Sequence, residues 1–176
     1  MIPKFHKRNY LIGTKFVNIT IDMENDPKNL QILDVIQSDA TLTVDAISDR
    51  VNLSRNACWR RIKMMEESGV IAGRVTILDS AKLGVGLQVY VMIKTDKHGQ
   101  DWMEDFARVV RDIPQITGAF RTSGDLDYLL RVQVADVAAY DRFYKSLIRR
   151  IHISDVSASF VMEEVKSTTA LPLTPV

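Results

Sequence analysis

Residues 53–69, LSRNACWRRIKMMEESG, decide how the first part of the chain folds. Ser54 is a helix-capping residue, and Gly69 supplies the left-handed conformation that stops a helix, so the spacing predicts a helix from residue 55 to 68. Upstream, Thr43 caps a shorter helix over 44–51, with Ala46, Ile47 and Val51 on one side, and Asn52 and Leu53 form a tight connection. Before it, SDATL (38–42) interrupts a first helix that Asp26 caps and Pro27 opens, with Leu30, Leu33 and Ile36 or Gln37 at helical spacing. Two helices joined by a short turn, with a third supporting them, spell helix-turn-helix.

Downstream of Gly69, VIAGRVTILD (70–79) has strand character, and SAKLGVG (80–86), with Gly84 and Gly86, marks a flexible joint and a domain boundary. Beyond it, Leu87, Val89, Val91 and Ile93 alternate with Gln88, Tyr90, Met92 and Lys94, the period of a half-buried strand. Trp102, Phe106, Val109 and Ile113 then recur at helical spacing up to Pro114. Strands over 116–122 and 127–134 flank a turn containing Gly124. Asp136 caps a second helix whose stripe is Tyr140, Phe143, Tyr144 and Leu147, and a last strand runs over 156–165. The order β-α-β-β-α-β predicts a ferredoxin-like antiparallel sheet with two helices on one face, which makes the chain α+β. Val89, Val91, Tyr128, Leu130, Phe160 and Met162 are enough apolar surface for both faces of that sheet, so a partner subunit is expected on the uncovered one.

The domain plan is an extension over 1–22, a helix-turn-helix domain over 23–70, a linking strand and hinge over 71–86, and a second domain over 87–173. The extension carries Lys4, Lys7, Arg8 and Lys15, but Gly13, Lys15 and Asn18 break the apolar core that a secretory signal needs. It is either an expression remnant or an extended gene start, or else an arm of β-propensity that pairs elsewhere or touches phosphates.

Bulk properties set further limits. The 176 residues carry 23 Lys and Arg against 22 Asp and Glu, so any basic surface is local. Cys58 is the one cysteine, which excludes an intrachain disulfide and a four-cysteine zinc site and fits the reducing cytoplasm. The apolar runs fall far short of the ~20 residues that cross a bilayer, so no membrane partner is expected. His6, His98 and His152 are dispersed without metal-ligand spacing, and no phosphate loop, dinucleotide motif or Ser-His-Asp order occurs, so neither metal nor cofactor is expected.

Stepping 100° per residue along the 55–68 helix puts Cys58, Ile62 and Met65 on one stripe and Asn56, Arg60 and Lys63 on the opposite one. The first is core. The second suits double-stranded DNA: Arg bonds a guanine edge in two places, Asn an adenine edge, and Lys neutralises phosphate. Ser54, Arg55 and Arg61 flank this face and suit backbone contacts, while Glu66 and Glu67 confine the contact to the first two turns. Trp59 lies to one side, where it either stacks on a sugar or packs on the flank, the commoner fate of a Trp. Cys58 reads as a small buried hydrophobe rather than a redox centre.

With these residues in view, the stretch from LQILDVIQ (30–37) to SAKLG (80–84) resembles the amino-terminal domain of the Lrp/AsnC, or feast/famine, regulators, a winged type of helix-turn-helix. RTSGDLDYLLRVQVAD (121–136) with VKSTTALPL (165–173) resembles their sensing domain, the RAM or ACT-like module. The resemblance implies transcription regulation, DNA binding as a dimer or an assembly of dimers up to an octamer, and an amino-acid effector held at the SGDLDYLL hairpin between subunits. Thr122, Ser123, Gly124, Asp125 and Asp127 are the effector residues it implies. The chemistry agrees, because the Gly124 backbone suits a carboxylate and Asp125 or Asp127 suits an α-ammonium group. A plain β-turn accounts for the same Gly and Asp. Two rivals share the architecture: a sirohaem-decarboxylase-like enzyme, against which TGAFRTSGDLDYLL (117–130) offers Arg121 but no His, and an effector-free architectural DNA binder.

Overall fold

In the computed structural model the chain is described from residue 26 to residue 173; the expectations for residues 1–22 lie outside that range. It divides into two compact units, one built from residues up to 75 together with 168–173, the other from 76–167.

Three helices form the first unit among the described residues: α1 (Pro27–Ser38), α2 (Val44–Val51) and α3 (Arg55–Glu67). Each begins on a side-chain acceptor, as the sequence predicts. The Asp26 carboxylate accepts from the Lys28 and Asn29 amides, the Thr43 hydroxyl from Ala46, and the Ser54 hydroxyl from Ala57. The connection from α2 to α3 turns on Asn52, a non-glycine residue at φ 52°, and the Leu53 amide reaches back to the Ser48 carbonyl at 3.0 Å. Lys28 donates its ammonium to the Val51 carbonyl at 2.6 Å, so a side chain from α1 caps the end of α2. Past α3, Gly69 takes φ 81° and the Ile71 amide closes the last turn on Met65.

Ile32, Ile36, Ile47, Val51, Cys58, Ile62 and Met65 make the core of this unit. On α1 the buried row is Asn29, Ile32 and Ile36; Leu30 and Leu33, expected inside, are only half-buried. The row shifts because Asn29 is drawn inward. Arg61 places one guanidinium nitrogen 2.7 Å from the Asn29 side-chain oxygen and 2.7 Å from the Asp26 carboxylate. Residues 168–173, read from the sequence as part of the second domain, group with the first unit. Leu171 donates its amide to the Gln37 side chain at 2.9 Å, and Gln37 donates back to the Leu171 carbonyl at 3.1 Å.

The strand expected over 70–79 does not form. A strand needs a neighbouring strand for its amides and carbonyls, and among the described residues none pairs with this stretch, which leaves Val75, Ile77 and Leu78 exposed. The joint after it is a turn closed by hydrogen bonds from Leu83, Gly84 and Val85 to the carbonyls of Asp79, Ala81 and Ser80, with Gly84 at φ 74°.

The second unit runs β1 (Leu87–Lys94), α4 (Gln100–Asp112), β2 (Ile116–Arg121), β3 (Tyr128–Val134), α5 (Val137–Arg150) and β4 (Asp155–Phe160). Its sheet has the order β2-β3-β1-β4 with every neighbouring pair antiparallel, the ferredoxin-like arrangement that the sequence predicts. The last strand is shorter than expected. The Val161 amide still reaches the Gln88 carbonyl, but β1 begins at Leu87 and offers residues 163–165 nothing to pair with; Met162 and Val165 lie exposed.

Register also corrects the distribution of apolar residues. Val89 stands opposite Val132 and Phe160, Val91 opposite Leu130 and Ala158, Ile93 opposite Tyr128 and Val156. Directly opposed residues share a face, so the apolar residues expected to serve both faces, Met162 apart, line one, where the core meets Trp102, Phe106, Phe143 and Leu147 of the helices. Tyr128 lies against the Trp102 and Phe106 rings, and Phe160 meets Tyr140 edge-on. The opposite face carries Tyr90, Met92, Phe120, Leu129 and Arg131, bordered by Ser157 and Ser159.

Two outcomes follow for stability. Leu147 is fully buried in the core of the second unit, so Leu147→Ala is expected to cost about 2–5 kcal/mol in denaturant unfolding. At Asp26, the Arg61 hydrogen bond first and the Lys28 amide second hold the carboxyl below its ordinary value. A lowered folded pKa contributes stability above the unfolded value and loses it as pH falls through the folded one. Asp26→Asn retains a capping acceptor but no charge. The stability gap between wild type and Asp26→Asn should therefore be largest near neutral pH and narrow below about pH 4, as read by thermal melts over a pH series.

Candidate nucleic-acid interface and effector hairpin

The interface begins with the cap of α3. Ser54 uses a lone pair to accept the Ala57 amide at 3.3 Å, which leaves its hydroxyl proton available to donate. One turn on, Asn56 and Arg60 are exposed, and Lys63 continues the row. The opposite stripe, Cys58, Ile62 and Met65, is buried as the helical period requires. Burial also pushes the Cys58 thiol up, the behaviour of a core residue.

The charges on this surface differ in how they are engaged. Arg60 has no carboxylate partner among the described residues. Arg55 pairs through Nε with Asp45 of α2 at 2.8 Å, both side chains being largely exposed. Such a pair is worth about 0–1 kcal/mol, little enough for phosphate to replace it. Lys63 lies 4.0 Å from Glu67, at the limit of an ion pair, and Arg74 holds Glu66 at 3.0 Å, masking one of the two acids at the far end of the helix. Arg61 is directed the other way, into the clamp with Asp26 and Asn29. Trp59 is 54% exposed, so packing against the flank is not its role within this unit.

In the second unit the hairpin between β2 and β3 is held at its base and open at its tip. Thr122 donates its amide to the Asp127 carbonyl at 2.9 Å and its hydroxyl to the Leu126 carbonyl at 2.6 Å. Gly124 adopts φ 124°, a conformation L side chains rarely reach, and a Cβ there would meet nothing within 4 Å. Glycine is therefore needed at the tip for conformation rather than for space. Ser123, Gly124 and Asp125 are exposed.

The two aspartates part company. Asp127 accepts the Thr95 amide on its carboxylate at 2.8 Å and donates its own amide to the Ile93 carbonyl at 3.0 Å, which ties the hairpin to the end of β1. Asp125 stands at the open tip. Thr95 is a residue that sequence reasoning missed; no local pattern announces an amide 32 residues away as the partner of a hairpin aspartate. The histidines gain no common purpose. His152 lies 3.4 Å from Asp96, His98 is exposed, His6 falls outside the described residues, and no cluster able to hold a metal occurs among the described residues.

Comparison with known proteins agrees with both halves of this geometry. Residues 25–72 match the winged helix-turn-helix DNA-binding family and residues 88–171 the Lrp/AsnC ligand binding domain. The chain is 48% identical to the glutamate uptake regulatory protein of Zymomonas mobilis over 84% of its own length and 90% of that protein. The crystal structure of an AsnC family transcriptional regulator from Agrobacterium tumefaciens superimposes with a TM-score of 0.82 at 48% identity, covering 84% of this chain and 97% of that one. The complex of transcriptional regulator NMB0573 of Neisseria meningitidis with L-Met superimposes with a TM-score of 0.81 at 34% identity, covering 84% and 96%. These relatives are regulators, not enzymes. A helix-turn-helix unit with an exposed Asn56–Arg60–Lys63 row, a ferredoxin-like second unit and these matches together show that the chain belongs to the Lrp/AsnC family of DNA-binding transcriptional regulators.

Proposed function

We propose that this regulator answers to a free amino acid bound at the tip of the β2–β3 hairpin and reads its operator with the first two turns of α3. The observation that carries the reading is the exposed hairpin tip, where Gly124 at positive φ stands beside the exposed Asp125. A carboxylate and an α-ammonium group both find a partner there, and Thr122, Ser123 and Asp127 shape the loop that offers them. The L-Met complex of the Neisseria relative supports an amino acid as the ligand class.

Asn56 and Arg60 then face base edges, and Ser54, Arg55 and Lys63 take phosphates, with Trp59 against a sugar. Arg61 serves the same surface indirectly by orienting the helix. The helix-turn-helix unit is the DNA-binding domain, residues 71–86 the hinge, and the ferredoxin-like unit the sensing and assembly domain. The sheet face that carries Tyr90, Met92, Phe120 and Leu129 joins copies into a dimer or an assembly of dimers, which sets two reading helices about 34 Å apart or a multiple of it. A ligand shifts the assembly by its difference in affinity between two states. No described helix is long and apolar enough to cross a membrane, and the protein works on DNA in the cytoplasm.

A thermal-shift panel of the free amino acids, L-methionine included, tests the sensing half. A bound ligand at a hundred times its Kd stabilises by about 2.7 kcal/mol. A panel without any shift would favour an effector-free architectural binder. Asp125→Asn is expected to abolish the ligand shift while leaving the unliganded melting temperature in place, whereas Asp127→Ala should lower the melting temperature itself through loss of the Thr95 bond. On the DNA side, Arg60→Ala should lower affinity for the operator selectively, by about 1–3 kcal/mol. Lys63→Ala should weaken all sequences alike and flatten the salt dependence. Equal losses on operator and random duplexes for Arg60→Ala would remove Arg60 as a base reader.

A further inference from the structure

The described part of the helix-turn-helix unit is electrostatically neutral. Residues 26–75 hold seven Lys and Arg and seven Asp and Glu, and Arg55, Arg61 and Arg74 each lie against a carboxylate. Duplex DNA binds proteins largely through phosphate neutralisation, and residues 26–75 carry no net positive charge to supply it. The second unit has a place where they gather. On α5, Arg142, Lys145, Arg149 and Arg150 occur within nine residues, and with Ser146 they surround a cleft of about 280 Å³ with no acidic residue in its lining.

At 100° per residue these positions share an arc of about 140° and span about 12 Å along the helix axis, a length over which a duplex carries roughly seven phosphate charges. Arg149 and Arg150 lie in the last turn, where cations also complement the carbonyl end of the helix, and Lys145 pairs with Asp141 at 2.6 Å. Arg142 has neither explanation: it is exposed, lies outside the last turn and has no carboxylate partner among the described residues.

We propose that this face of α5 is a second, sequence-independent contact for duplex DNA, supplying phosphate neutralisation beyond that of residues 26–75. The inference rests on DNA recognition by α3 and adds to it a surface on the sensing domain. Arginine suits the role because its guanidinium grips phosphate oxygens in pairs, and a contact to backbone alone leaves base preference untouched.

The test compares the full chain with the triple variant Arg142→Ala, Arg149→Ala, Arg150→Ala, measuring affinity for an operator duplex and a random duplex from 50 to 200 mM salt. Loss of up to three phosphate contacts should flatten the slope of log affinity against log salt by about 2–3 on both duplexes and leave their affinity ratio unchanged. The Arg→Lys triple should restore most of the slope, because charge is retained, and the Arg→Gln triple, which removes charge but keeps long polar side chains, should flatten it as the alanine triple does and keeps the test meaningful if the alanine triple folds poorly. Unchanged slopes in the alanine triple would overturn the proposal and leave the α3 reading standing. So would an unchanged slope accompanied by dissociation of the oligomer in sedimentation, which would make this face a contact between copies. A wild-type chain that ignored both duplexes would overturn the α3 reading and this one with it.

Discussion

One guanidinium holds the reading helix at its angle. Arg61 and Arg60 are neighbours in sequence and stand 100° apart on α3. When Arg61 reaches into the groove between α1 and α3 and meets both the Asp26 carboxylate and the Asn29 side chain at 2.7 Å, the rotation of α3 about its own axis is no longer free. Arg60 is turned outward by the same bond that holds Arg61 inward. Asp26 also caps α1, so a single carboxylate starts one helix and orients another. The apolar stripe of Cys58, Ile62 and Met65 presses α3 onto the core, but packed aliphatic surfaces tolerate some rolling; a charged hydrogen bond with two acceptors does not.

The second unit depends on β1 in a comparable way. It lies between β3 and β4, and its alternation of Val89, Val91 and Ile93 with Gln88, Tyr90 and Met92 divides the sheet into a covered face and a bare one. Its far end receives the hairpin through Thr95 and Ile93. Asp127 belongs to that attachment as part of the scaffold, which leaves Asp125 as the carboxylate at the tip.

Legibility in the sequence followed the range of each interaction. The capping residues Asp26, Thr43, Ser54 and Asp136 act within three residues of themselves, and each marks the helix start that the structure shows. Period-two alternation likewise exposed β1, and period 3.6 exposed α3 and α4. Long-range partners were another matter. The α1 stripe shifted by one residue because of an arginine 32 positions away, and the apolar residues of the strands shared one face because register depends on pairing that no single strand declares. Residues 70–79 have strand composition yet no ladder, since composition cannot supply a partner. For the candidate site, the exposed row on α3 was visible from helical period alone, while the separate duties of Asp125 and Asp127 were not.

The lone cysteine has a practical consequence. Cys58 is fully enclosed by the core of the first unit, and burial pushes its thiol up, so an alkylating reagent lacks access and meets a thiol less ready to ionise. Reaction must wait until α3 lifts away from α1 and α2. Because the chain has one sulfhydryl, the rate at which it acquires a label is a clock for the opening of the helix-turn-helix alone, with no signal from the sheet domain. The protein thus carries its own reporter of how tightly the recognition helix is seated, and a bound duplex or amino acid that steadied that helix would slow the clock without any probe being introduced.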